Sequence, residues 1–95
     1  NIPIVYSISP FLIYRPFEII RTYINHENIP VKLIASGRDK DYLHDGFSHW
    51  AHDIKPHLNL FPNIVQFWPE NKEDIPNLID EFLYNDKPCF LSLKR

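Results

Sequence analysis

Residues 75–93, IPNLIDEFLYNDKPCFLSL, contain a helix pattern that is followed closely by a strand pattern. Asn85 and Asp86 predict the end of the helix, and the short apolar run Pro88–Leu93 predicts a buried strand. The helix prediction rests on apolar residues three and four positions apart, the spacing of one face of an amphipathic helix: Ile75, Leu78, Ile79, Phe82 and Leu83. A helix joined to a strand in this way is the repeating unit of an α/β protein.

The same alternation extends towards the N-terminus. Further strands are predicted at 3–8, 31–35 and 63–68, and helices at 17–26 and 54–61. Strands that alternate with helices indicate a parallel sheet with right-handed crossovers. The predicted fold is therefore α/β, with a parallel sheet of about four strands and helices on both faces.

Length and composition restrict the classes of function. The chain has 95 residues, which suffices for a single domain over 1–95. A net charge of -2 argues against nucleic acid or an anionic membrane as the main partner. The single cysteine, Cys89, fits a reducing compartment, so we expect a cytoplasmic location. The methionine-free start at Asn1 leads us to expect a domain truncated from a longer polypeptide.

Charged side chains follow the carboxyl ends of the predicted strands, where parallel sheets bind their ligands. Arg38 follows the second strand, Glu70 the third, and Lys94 and Arg95 the last. Two arginines, a lysine and a loop containing histidines should thus share one edge of the sheet. Such an edge suits a phosphorylated or otherwise anionic ligand.

Residues 36–52 form a polar loop without a clear period, and loops of this length are usually functional or disordered. Its histidines lack the paired spacing of a zinc site. We expect His49 to bind substrate hydroxyls or to transfer protons as the catalytic residue. His52 and His57 are expected to be ordinary solvated residues.

Three aromatic residues after the first strand, Phe11, Tyr14 and Phe17, are spaced by three. On a helical turn their rings would share one face. They could form a core contact or an aromatic surface for a flat heterocycle, and spacing alone does not decide between these interpretations.

Four passages together resemble the transketolase group of thiamine-diphosphate enzymes, which includes deoxyxylulose-phosphate synthase. Residues 3–8 (PIVYSI) with Phe11-Leu12 resemble the strand and helix start that pack on the cofactor. Asp45–Trp50 (DGFSHW) is similar to the family's Asp-Gly-Pro-Thr-His-Gln. Residues 61–70 (FPNIVQFWPE) and 88–95 (PCFLSLKR) resemble its Leu-Pro-Asn-Met strand with a proline-acid turn and its closing strand with an arginine.

The resemblance implies the C-terminal part of a pyrimidine-binding domain. Phe11, Tyr14 and Phe17 would contact the aminopyrimidine of thiamine diphosphate. Asp45 and His49 would face sugar hydroxyls. Arg95 would bind a substrate phosphate, and Arg38 would substitute for a family histidine in that role. Another domain or chain would hold the diphosphate and Mg²⁺, so we expect a dimer or larger assembly that transfers a carbon unit after carbon–carbon bond cleavage.

The sequence departs from the family pattern at two levels. Phe47-Ser48 replaces Pro-Thr, and Trp50 replaces a smaller polar residue, which puts the substrate in question. The glutamate that activates the cofactor and the Gly-Asp-Gly motif have no counterpart, so the chain alone is not expected to catalyse. The alternative interpretation is a non-catalytic α/β module that binds a phosphorylated ligand.

Overall fold

The computed structural model describes residues 1–95, and its centre is a four-stranded, all-parallel sheet. The spatial order of the strands is β1-β2-β4-β3. All four strands lie inside or next to their predicted segments, with the third shorter than predicted: β1 is Ile4–Ile8, β2 is Lys32–Ser36, β3 is Val65–Phe67 and β4 is Cys89–Leu93. The prediction of a parallel α/β fold is confirmed.

Four helices connect the strands: α1 is Ser9–Ile13, α2 is Phe17–Ile19, α3 is Ile54–Leu58 and α4 is Ile75–Leu83. Helix α2 continues as a wider π-helical turn over Ile20–Asn25. Helix α1 agrees with the helix start that the resemblance implies at Phe11-Leu12, and its first turn contains Pro10. Proline is tolerated in the first turn of a helix, where its missing N–H group costs nothing. None of the helices is both long and apolar enough to cross a lipid bilayer.

The helices lie on both faces of the sheet, as predicted. On one face, α1, α2 and α3 cover Leu33 and Phe90, which are at most 3% exposed. On the other face, Phe82 of α4 packs against Cys89 and Leu91. Strands β2 and β4 contribute to both cores, because successive side chains of a strand point to opposite faces of the sheet.

A buried lysine ties β2 to the loop between α4 and β4. Lys32 is 1% exposed. Its ammonium group donates hydrogen bonds to Asn85 Oδ1 at 2.9 Å and to the Lys87 carbonyl oxygen at 2.7 Å. These oxygens lie just beyond the C-terminal end of α4, where the helix dipole favours a cation. Lys32 is the first residue of β2, so this contact stabilises the amino ends of the strands. Ligands are expected at the opposite end, beyond the carboxyl ends of the strands.

The long loop after β2 is more regular than its sequence indicates. It contains 3₁₀ turns at Leu43–Asp45 and Phe47–His49. An antiparallel bridge between Asp39 and Ala51 closes it at its base. The loop therefore folds back on itself beside the carboxyl ends of the strands and brings His49 with it.

Candidate ligand-binding rim

The carboxyl ends of the four strands form an edge that we call the rim: residues 9–11, 36–49, 68–71 and 93–95. Ser9 joins the first two strand ends, because its buried Oγ donates a hydrogen bond to the Gly37 carbonyl oxygen at 2.6 Å. Gly37 has a φ of +88°, and a Cβ atom there would overlap the ring of Tyr42. Only glycine fits this close approach between backbone and ring.

The rim brings His49 against Phe11, as expected if the two residues serve one site. Their ring centroids are 4.9 Å apart and the rings meet edge-on at 76°. His49 Nδ1 lies 3.0 Å from Ser48 Oγ, so Nε2 is the ring nitrogen without a hydrogen-bond partner. The guanidinium of Arg15 lies over the Phe11 ring at 4.5 Å. Half-buried Phe11 therefore has a fixed orientation between a cation and an imidazole.

Asp45 projects from the same loop and is exposed. It ends the first 3₁₀ turn just before Gly46, whose φ of +88° favours glycine. The Asp45 carboxylate makes no hydrogen bond or ion pair within the chain. It is therefore free to accept hydrogen bonds from a ligand at the rim.

Arg38 lies at the rim but is used mainly by the protein itself. It is 8% exposed. Its Nε donates to Ser92 Oγ at 3.0 Å, and its Nη2 donates to the carbonyl oxygens of Pro69 and Ser92, both at 2.7 Å. Nη1 contacts Glu70 Oε1 at 3.3 Å. Since four of its five N–H groups have partners, Arg38 joins the ends of β3 and β4, and its role as a phosphate ligand stays a prediction.

Glu70 lies between two basic residues at the rim. Its Oε2 accepts a hydrogen bond from Lys94 Nζ at 2.7 Å, and Oε1 contacts Arg38. The hydrogen bond and the charge of Lys94, with smaller contributions from Arg38 and Lys55, lower the pKa of Glu70 below its ordinary value. The carboxylate thus neutralises part of the basic character that the sequence predicts here.

Arg95 has its side chain available. Its guanidinium lies 4.8 Å from the centre of the Tyr42 ring, and its backbone N–H donates to Asp41 Oδ2 at 3.0 Å. Arg95 also lines a cavity of about 390 Å³ at the ends of β3 and β4, together with Lys72 and Lys94. Glu70 and Glu73 line the same cavity, so its three basic side chains are partly offset by two carboxylates.

Tyr14 is the C-terminal cap of α1 and keeps a helical backbone, with its N–H donating to the Pro10 carbonyl oxygen at 2.8 Å. Its hydroxyl donates to Asp53 Oδ1 at 2.8 Å and lies 2.9 Å from His57 Nδ1. Burial, followed by the hydrogen bond and charge of Asp53, raises the pKa of Tyr14. Tyr14 therefore belongs to an internal polar network.

Phe17 contacts the same histidine as Tyr14. Its ring packs against Phe61 with centroids 5.2 Å apart and edge-on against His57 at 6.1 Å. It lines the largest cavity, about 600 Å³, which includes Arg21 and His26 but no rim residue. Tyr14 and Phe17 thus both contact His57, whereas Phe11 contacts His49. The roles of the three aromatic residues in cofactor binding stay predictions.

The histidines of the region separate into distinct settings. His52 is exposed, as expected for a solvated residue. The same expectation for His57 is wrong: its ring is half-buried and its Nδ1 lies 2.8 Å from the Asp53 carbonyl oxygen. Asp53 and His57 are four residues apart at the start of α3, a spacing that places them on one side of a helix. The four-residue spacing in the sequence could have predicted that Asp53 and His57 lie together, although not that Tyr14 joins them.

The chain has a transketolase-like α/β fold, which confirms the resemblance at the level of the fold. One similar solved structure is a chain of a split-gene transketolase, described as an inactive beta4 tetramer. The TM-score is 0.82 at 24% identity, over all of this chain and 30% of that one.

A curated relative is the uncharacterized 33.6 kDa protein in the fasciation locus of Rhodococcoides fascians. It is 25% identical over 91 residues, which are 96% of this chain and 29% of that protein. No family model matches the chain. The chain therefore spans about 30% of the length of each of these two proteins.

Proposed function

We propose that this chain is part of a transketolase-like thiamine-diphosphate enzyme, to which it contributes part of the aminopyrimidine pocket and a sugar-phosphate-binding loop. The observation that carries the proposal is the contact between Phe11 and His49 at the rim of a transketolase-like fold. Phe11 comes from α1, directly after β1, and His49 comes from the Asp-Gly loop 38 residues later. The motifs that carry the resemblance therefore converge in space.

The residues at the rim fit the cofactor in part. Half-buried Phe11 offers a flat apolar ring next to an imidazole, which suits an aminopyrimidine. Tyr14 and Phe17 would act behind it by holding the start of α2 against α3, since both contact His57. When bound, thiamine diphosphate supplies the nucleophile and electron sink for cleaving a carbon–carbon bond beside a carbonyl.

Three groups are assigned to the substrate. His49 is the catalytic residue, since its Nε2 is free to donate or accept a proton at a substrate hydroxyl. The unpaired carboxylate of Asp45 binds a second hydroxyl. Arg95 binds the substrate phosphate in the 390 Å³ cavity, where Lys94 is already engaged by Glu70. Arg38 contributes at most its one remaining N–H group.

Catalysis requires a second polypeptide or domain in this proposal. That partner carries the activating glutamate and the site for diphosphate and Mg²⁺, which this sequence does not contain. The split-gene transketolase chain, of which this chain matches 30%, is itself described as inactive in its tetramer. The active form is therefore a dimer or larger assembly of complementary chains.

The test is native mass spectrometry of the assembly isolated from its source through a tag on this chain, with Mg²⁺ and thiamine diphosphate added. We expect a larger assembly that gains the mass of the cofactor. Phe11→Leu should reduce this gain. Tyr84→Leu, which also removes an aromatic ring but at a 71% exposed residue off the rim, should leave it unchanged.

His49→Asn should keep the cofactor but lower turnover of phosphorylated ketoses by roughly 10² to 10⁴. An assembly that never gains cofactor mass, or full turnover by His49→Asn, would contradict the proposal.

The cavity lined by Lys72, Lys94 and Arg95 favours one alternative, a non-catalytic module that binds a phosphorylated ligand. This alternative predicts that the chain alone binds a sugar phosphate and loses binding in Arg95→Ala. It also predicts that thiamine diphosphate and Mg²⁺ have no effect on that binding.

A further inference from the structure

The largest cavity of the chain lies between the π-helical turn at Ile20–Asn25 and the segment that precedes β3. We call it the π-turn cavity. Its volume of about 600 Å³ is in the range of small-molecule sites. The π-helical turn and His26 form its polar side, whereas Phe17, Leu60 and Phe61 form its apolar side. No rim residue lines this cavity, so it is separate from the site described above.

The wider helical turn explains why several polar side chains reach one cavity. His26 N–H donates to the carbonyl oxygen of Arg21, five residues earlier, at 3.3 Å. With this hydrogen-bond pattern, residues four and five positions apart lie on one side of the helix. Arg21, Asn25 and His26 therefore face the same space. Turns of this kind are rare, and they occur frequently at functional sites.

Two hydrogen bonds hold the two sides of the cavity together. Asn63 N–H donates to Asn25 Oδ1 at 2.9 Å, and Asn63 Nδ2 donates to the Asn25 carbonyl oxygen at 2.7 Å. Because both Asn25 oxygens accept hydrogen bonds, the side-chain NH₂ group of Asn25 remains as a donor for a ligand. A cavity that is fixed in this way loses little free energy to ordering when it binds a ligand.

The polar side offers hydrogen-bond donors and a positive charge. The guanidinium of exposed Arg21 makes no hydrogen bond or ion pair within the chain, so its five N–H groups are available. No carboxylate lines the π-turn cavity, whereas Glu70 lines both of the smaller cavities. Exposed Glu27 lies outside it and reaches only His26, at 3.9 Å. This set of groups suits an anion, and a carboxylate matches the planar guanidinium.

The apolar side is flat and partly open to solvent. The rings of Phe17 and Phe61 lie 5.2 Å apart, and Leu60 is 64% exposed. Aromatic side chains pack favourably on another ring. We propose that the π-turn cavity binds a small carboxylate that carries an aromatic ring. The ring packs on Phe17 and Leu60, and the carboxylate accepts hydrogen bonds from Arg21 and Asn25. This site goes beyond the proposed enzyme function and does not depend on it.

NMR titration of the ¹⁵N-labelled chain with 3-phenylpropionate tests the site. Two matched compounds separate its parts: 3-phenylpropan-1-ol keeps the ring without the charge, and propionate keeps the charge without the ring. We expect 3-phenylpropionate to shift the side-chain Nε–H signal of Arg21 and the amide signal of Leu60. It should bind about tenfold more tightly than either matched compound, or better. The amide of Gly37 at the rim should not shift.

Three variants locate the interaction. Arg21→Met should weaken binding of 3-phenylpropionate about tenfold or more, because it removes the charged donors. Leu60→Ser should weaken binding as well, because it removes part of the apolar side. Lys87→Met removes a positive charge at an exposed residue that does not line the cavity, and binding should be unchanged. Unshifted amide signals of Leu33 and Phe90 would show that each variant remains folded.

Three results of the titration would overturn the inference: equal binding of 3-phenylpropan-1-ol, unchanged binding in Arg21→Met, or shifts at the rim instead of the π-turn cavity. Displacement of 3-phenylpropionate by thiamine diphosphate and Mg²⁺ would also overturn it and would assign the cavity to the cofactor. Loss of binding in the assembly isolated from the source would assign the cavity to a partner chain. The first titration contains no cofactor, so a failure of this site and a failure of the proposed enzyme function give different results.

Discussion

Replacing Arg38 by methionine keeps an unbranched side chain of similar length in place and removes every hydrogen bond of the guanidinium. Three buried acceptors lose their donor: Ser92 Oγ and the carbonyl oxygens of Ser92 and Pro69. Each contributes about 1 kcal/mol in net terms, which gives a loss of about 3 kcal/mol. The contact with Glu70, which is 68% exposed, adds little. A loss of this size lowers the Tm of a domain of this length by roughly 12–24 °C.

Urea unfolding measures this loss directly. Trp68 is a suitable fluorescent reporter, because its ring lies 5.4 Å from the Arg38 guanidinium. We expect a lower midpoint at an unchanged slope, since the surface exposed on unfolding stays the same. The matched control is Arg21→Met, at an exposed arginine with no hydrogen bond or ion pair, which should change the free energy of unfolding by less than about 0.5 kcal/mol.

A loss below about 1 kcal/mol in Arg38→Met would refute the reasoning. If that variant also lost stabilisation by added phosphate, Arg38 would be a ligand-binding residue as the sequence predicts. If Arg38→Met is strongly destabilised and Arg95→Ala alone loses the effect of phosphate, the two arginines have separate roles.

Three further changes test other contacts. Asp53→Asn should lower the raised pKa of Tyr14, which an ultraviolet titration measures. In the parent protein, the stability that comes from this raised pKa is present at neutral pH. It is lost as the pH rises beyond the ordinary tyrosine pKa. Lys94→Met should raise the pKa of Glu70 towards its ordinary value, which an NMR titration measures. Because the pKa of Glu70 is lowered in the folded protein, the stability that it contributes is present above the unfolded-state pKa. This stability is lost as the pH falls through the pKa of the folded state. Gly37→Ala should lower the Tm, because the φ of +88° and an adjacent aromatic ring leave no room for a methyl group, whereas an unchanged Tm would mean that the ring moves away freely.

The sequence predicted the elements whose patterns are local. The five apolar residues of α4 and the short apolar run of β4 have periods that can be read within one segment. The strand order has no such signature, because β2 pairs with β4 across 57 residues.

The site was predictable only where the resemblance supplied distant residue pairs. The contact of Phe11 with His49 follows from motifs that the family places at one site. The role of Arg38 depends on acceptors 31 and 54 residues away in the chain, which no spacing rule connects. Tyr14 reaches Asp53 across 39 residues for the same reason.

The position of β4 in the sheet has a consequence for synthesis of the protein. This strand is the last in the chain but lies in the middle of the sheet, where it is the only neighbour of β3 and the second neighbour of β2. Until Cys89–Leu93 have left the ribosome, β3 has no strand to pair with and α4 has no central surface to cover. Pairing within this sheet must therefore wait until all four strands have been synthesised.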